Sequence, residues 1–107
     1  MKTILNYSPP SIDGLAQLKD QLGYTGAQMA DLFALGGSHQ WRKYTGGQKP
    51  RAMNPQMLFY ACAQLELTAE DLERIHARMR AVGAQFYYGP VTDTLRRIAE
   101  GSSADPE

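Results

Sequence analysis

The chain has 107 residues, 43% of them hydrophobic, with 11 basic and 11 acidic side chains and a formal net charge of zero. That length favours one domain with a modest core, the apolar content excludes wholesale disorder, and zero net charge argues against a generic polyanion binder. Cys62 is the single cysteine, so no intramolecular disulfide and no multi-cysteine metal site can form. No apolar run approaches a membrane span and no secretory-type leader opens the sequence, so a soluble, cytoplasmic protein with no membrane partner is expected.

Helix signals dominate the pass along the chain, and an all-α fold is expected. MKTILNYSPP reads as an extended N-terminal segment, 1–10, ended by Pro9 and Pro10. Ser11 can cap a first helix running to Leu22, whose Ile12, Leu15, Leu18 and Leu22 form one stripe, with Gly23 placed to end it. Thr25 opens a second helix through a capping box with Gln28, and Met29, Ala30, Leu32 and Phe33 make it compact. Leu35, Gly36 and Gly37 read as a turn, both glycines free to take positive φ. The third helix spans Ser38 to Thr45 with Ser38 as candidate N-cap, and Gly46 and Gly47 stop it.

After the loop QKPRAM, Asn54 caps a fourth helix that starts with Pro55 and turns Leu58, Ala61, Cys62 and Leu65 inward. Cys62 is expected to be a small buried apolar residue. Thr68 opens a fifth helix with a second capping box, TAED. Its Leu72, Ile75, Met79, Val82 and Phe86 repeat at three and four, a narrow heptad-like seam. That seam reads as a dimerisation surface, with Tyr87 and Tyr88 of QFYYGP as aromatic anchors. The competing expectation is that it packs on the chain's own first helix and N-terminal segment. His76, beside the seam, reads as structural. A short helix is expected at 92–100 and a flexible tail at 101–107, which makes 68–100 a C-terminal helical extension.

Charge is segregated even though it sums to zero. No acidic residue falls between Asp31 and Glu66, while Arg42, Lys43, Lys49 and Arg51 all do. This interval contains GGSHQWRKYTGG, eight residues fenced by glycine pairs. Trp41 and Tyr44 are three apart and share a face that wants burial, so Ser38, His39, Gln40, Arg42 and Lys43 are left to the outside. The aromatics could instead stack on bases, and the whole helix could be a solvated surface element. The core assignment for Trp41 and Tyr44 fits the spacing better.

The order of these signals resembles the Cro/repressor-type (XRE family) helix-turn-helix of phage and plasmid regulators. Gly23, Tyr24 and Thr25 lead into a compact helix, a short turn follows, and a helix with Trp41 and Tyr44 precedes Gly47 and Pro50. The resemblance covers residues 11–67 and implies a five-helix lambda-repressor-like domain. The turn is one residue longer than the family's usual one, Tyr44 stands for its common tryptophan, and Gly26 stands for its usual glutamine. The resemblance implies a dimer on double-stranded DNA, with the helix at 38–45 in the major groove. It also implies a sequence-specific transcription regulator, a dimeric repressor of a phage, plasmid or other mobile element.

Arg forks onto guanine and Gln onto adenine, so Ser38, His39, Gln40, Arg42 and Lys43 are the candidate base readers. Thr25, Gln28, Lys49 and Arg51 are the candidate backbone contacts. An antitoxin-like or inhibitor module that binds a protein partner is the alternative on the same scaffold. Two distant histidines, no carboxylate cluster at ligand spacing and no phosphate-binding loop argue against an enzyme, a metal site or a cofactor.

Overall fold

The computed structural model describes residues 1–87. Tyr88, the expected helix at 92–100 and the tail lie outside the described residues. The fold is all-α: α1 Ile12–Leu22, α2 Gly26–Leu32, α3 Ser38–Thr45, α4 Pro55–Glu66 and α5 Ala69–Ala81, with no strand among the described residues. The chain divides into two compact units, Met1–Leu65 and a second that begins at Glu66.

Local chemistry sets the helix starts. The Ser11 hydroxyl accepts the Gly14 N–H at 3.0 Å, and Asn54 Oδ1 accepts the Met57 N–H at 2.8 Å. Both expected capping boxes form. Thr25 Oγ1 accepts from the Gln28 N–H while Gln28 Oε1 accepts from the Thr25 N–H. Thr68 and Asp71 reciprocate in the same way at α5. Each pair satisfies two amides that a helix end would otherwise leave orphaned.

Three helices end in one motif, a backbone pair in which the last carbonyls accept from residues just past the helix. At α1 the donors are Gly23 and Tyr24, at α2 Ala34 and Leu35, and at α5 Gly83 and Ala84. The motif demands a left-handed residue. Gly23 (φ 68°) and Gly83 (φ 103°) supply it cheaply, but α2 uses Ala34 at φ 58°. The sequence placed that freedom on Gly36 and Gly37; Gly37 takes it and Gly36 does not. The left-handed position that ends α2 falls on Ala34, and Gly37 takes φ 131° and ψ 172° as the N-cap of α3. Such a conformation is open to glycine almost alone. Ser38 is therefore the first residue of α3 and not its cap, and no side chain caps this helix.

The core of the first unit joins Leu15 of α1, Met29, Ala30 and Phe33 of the α2 region, Trp41 and Tyr44 of α3, Met53 of the loop and Ala61 of α4. Phe33 and Trp41 stack with ring centroids 5.3 Å apart. The α2–α3 contact is the most extensive between helices, and α1 also meets α3. Tyr7 holds the N-terminal segment to this unit by donating to the Met53 carbonyl at 2.7 Å. Cys62 is exposed, contrary to expectation. The inward line of α4 runs through Leu58, Ala61 and Leu65, and Cys62 stands one residue, about 100°, past it.

In the second unit α5 stops at Ala81, short of the expected seam. Leu72 is buried, but Ile75, Met79 and Val82 are 42%, 41% and 80% exposed. Phe86 does not continue the stripe. Gly83 turns the chain back, so the Phe86 ring lies 5.4 Å from His76 and beneath the Arg80 guanidinium, 4.3 Å from the ring centroid. His76 is buried, as a structural role predicts. Tyr87 is exposed.

Candidate nucleic-acid interface

Trp41 is 3% and Tyr44 7% exposed, so α3 is anchored by two aromatics on one side. At about 100° per residue the opposite side belongs to His39, Arg42, Lys43 and Gly46. His39 and Arg42 are exposed and Lys43 is half-buried. Ser38 and Gln40 stand on the flanks and are half-buried. Ser38 Oγ accepts from Arg42 Nη1 at 3.4 Å, a long contact that aligns the guanidinium along the helix.

The loop after α3 folds back onto it. The Arg51 N–H donates to the Lys43 carbonyl at 2.7 Å, and the Gly46 N–H to the Arg42 carbonyl at 2.9 Å. The Arg51 guanidinium sits over the Tyr44 ring, 5.9 Å from its centroid. Together these contacts bring Lys49 and Arg51 beside Arg42, Lys43 and His39 around one open depression of about 470 Å³. Gly46, Gly47 and Gln48 complete its wall, and no carboxylate lines it. Four permanent cations thus share one surface of a chain with no net charge.

Of the five candidate base readers, His39, Arg42 and Lys43 line this depression, and Lys49 and Arg51 of the backbone set join them. Ser38 and Gln40 do not. Thr25 and Gln28 lie at the start of α2, exposed, with their oxygens engaged in the capping box. That end of α2 is near the start of α3: a Cβ on Gly26 would lie 3.4 Å from Ser38 Cβ and 3.8 Å from Trp41 Cδ1. Sequence reasoning missed the loop backbone and Gln48. The signal was present in Gly46, Gly47 and Pro50, which mark a tight return of the chain.

Among the described residues no group of His, Cys, Asp and Glu is placed to hold a metal ion, and no helix is long and apolar enough to cross a membrane. Comparison with protein-family models, curated proteins and solved structures gives no match.

Proposed function

We propose that this chain is a sequence-specific double-stranded-DNA-binding regulator of the Cro/repressor kind. In this reading α3 enters the major groove. The observation that carries it is the division of one eight-residue helix into a buried aromatic side and an outward basic side. Arg42 is the strongest candidate base contact, because a guanidinium forks onto guanine and a good bidentate pair discriminates by about 1–3 kcal/mol. His39 and Lys43 extend the contact. Ser38 and Gln40 read only the edges of the site. Lys49 and Arg51, with Thr25 and Gln28 at the start of α2, hold phosphates and set register. A dimer would set two α3 helices about 34 Å apart on a nearly palindromic operator and would repress by occluding a promoter.

The test is fluorescence anisotropy with the duplex upstream of the chain's own gene. Four phosphates neutralised in each subunit give a slope of log K against log salt of roughly −7 for the dimer. Arg42→Ala should lose most of the preference for that duplex over a scrambled one. Lys49→Ala should weaken both about equally and flatten the salt slope. Equal binding of both duplexes by the unmodified protein would sink the reading.

A second reading rests on Ile75 and Met79 of α5 and Val82 at its C-cap, a run of exposed apolar side chains. It makes the chain an antitoxin-like or inhibitor module whose first target is a protein. The two part at sedimentation of the pure chain: a dimer favours the regulator, and a monomer that shifts only with a protein encoded beside it favours the module.

A further inference from the structure

The depression beside α3 gathers four basic side chains and no carboxylate. Arg42, Lys43, Lys49 and Arg51 line this open surface depression of about 470 Å³. A helix C-terminus ordinarily repels anions through its unpaired carbonyls. Here the Arg42 and Lys43 carbonyls accept from Gly46 and Arg51, so two of those negative ends are covered. The Tyr44 ring orients the Arg51 guanidinium. A single phosphate carries about two charges near neutral pH, too few for four fixed cations. A chain of three condensed phosphates comes closer to matching them in charge.

We infer that this depression binds compact polyphosphates, either inorganic or the triphosphate of a nucleotide, and that the bound polyphosphate displaces duplex DNA. The second half rests on the DNA-binding reading, because the same four cations, Arg42, Lys43, Lys49 and Arg51, serve both ligands. The first half does not. The ligand would give the proposed regulator a direct chemical input: charge that neutralises the reading face.

Calorimetric titration of the full chain at roughly 0.15 M salt, where long-range attraction between exposed charges is screened, tests it. Sodium tripolyphosphate should bind at least about tenfold more tightly than orthophosphate, a difference of about 1.4 kcal/mol. Lys49→Gln with Arg51→Gln should weaken tripolyphosphate about tenfold. Lys2→Gln with Arg78→Gln removes the same charge outside the depression and should leave affinity unchanged. Equal affinities for the two anions, or an equal loss in the control variant, would overturn the proposal. Lys49 is exposed, so Lys49→Gln alone keeps the comparison usable if the double variant unfolds. ATP as a third titrant separates the sources: affinity equal to tripolyphosphate means that phosphates alone are held, and tighter binding means that the nucleoside is held too. Tripolyphosphate should then raise the apparent Kd for the duplex in the control variant, and the Lys49/Arg51 variant should need about tenfold more of it for the same effect. The direct titration contains no DNA, so its failure leaves the duplex reading intact, and failure to find an operator leaves the polyphosphate site intact.

Discussion

The helices α3 and α5 invert one another. α3 has eight residues, lacks a side-chain cap and carries little apolar surface, yet it sinks Trp41 and Tyr44 into a core. α5 has thirteen residues, a capping box, acidic residues in its first turn and basic ones in its last. Everything local favours α5 as a helix, and still Ile75, Met79 and Val82 remain exposed. Helix formation and helix burial are separate questions. Caps and dipole matching answer the first, and only partners in space answer the second.

The largest test of this contrast is Trp41→Ala. It removes the stack on Phe33 and leaves a cavity in the core, and it should cost about 3–5 kcal/mol in a denaturant melt. A loss below 1 kcal/mol would mean that α3 is not anchored by its aromatic side. Next comes Gly37→Ala, which forces a side chain into a glycine-only conformation and should cost about 1–3 kcal/mol. Ala34→Gly acts in the opposite direction at the same turn and should raise the melting midpoint, by up to about 1 kcal/mol of stability, because a left-handed alanine is strained. At the C-cap of α5, Val82→Ser should change the stability of the isolated chain by less than about 0.5 kcal/mol. A larger loss that grows with protein concentration would show that a second copy covers this face.

The smallest effect is acid-dependent. Hydrogen bonds from the Thr68 hydroxyl side chain and backbone N–H, then the Arg74 guanidinium, hold the Asp71 carboxyl below its ordinary value of 3.8. A depressed folded value means that the cap contributes fully above that pH and is lost as pH falls through the folded value. Helical circular dichroism should therefore show a small acid loss in the unmodified chain that Asp71→Asn lacks.

The five helices were legible in the sequence because their ends are written in short-range chemistry. Ser11, Thr25 with Gln28, Asn54 with Pro55, and Thr68 with Asp71 announce starts that need no distant partner. Trp41 and Tyr44 were legible as core because two large aromatics three apart have few other uses. The basic side of α3 followed from them by subtraction. Cys62 was misjudged because one step along a helix changes its face, and polarity alone does not choose between Ala61 and Cys62. The seam through Phe86 failed for a similar reason. Its spacing assumed one unbroken helix, whereas Gly83 ends α5 and sends Phe86 back over His76 and Arg80. The loop return that places Arg51 against Lys43 depends on one backbone bond between residues eight apart, which no periodicity encodes.

The Tyr7 hydroxyl and the Met53 carbonyl join positions 46 apart in the chain, and Met53 follows the basic loop by two residues. The first ten residues are thus a tether fastened beside the proposed DNA-contacting surface. An affinity tag placed ahead of Met1 would pull on that fastening, and a chain shortened past Tyr7 would release it. Tags for binding measurements belong at the other end, and Tyr7→Phe is the control that tells an effect of the tether from an effect of the cations.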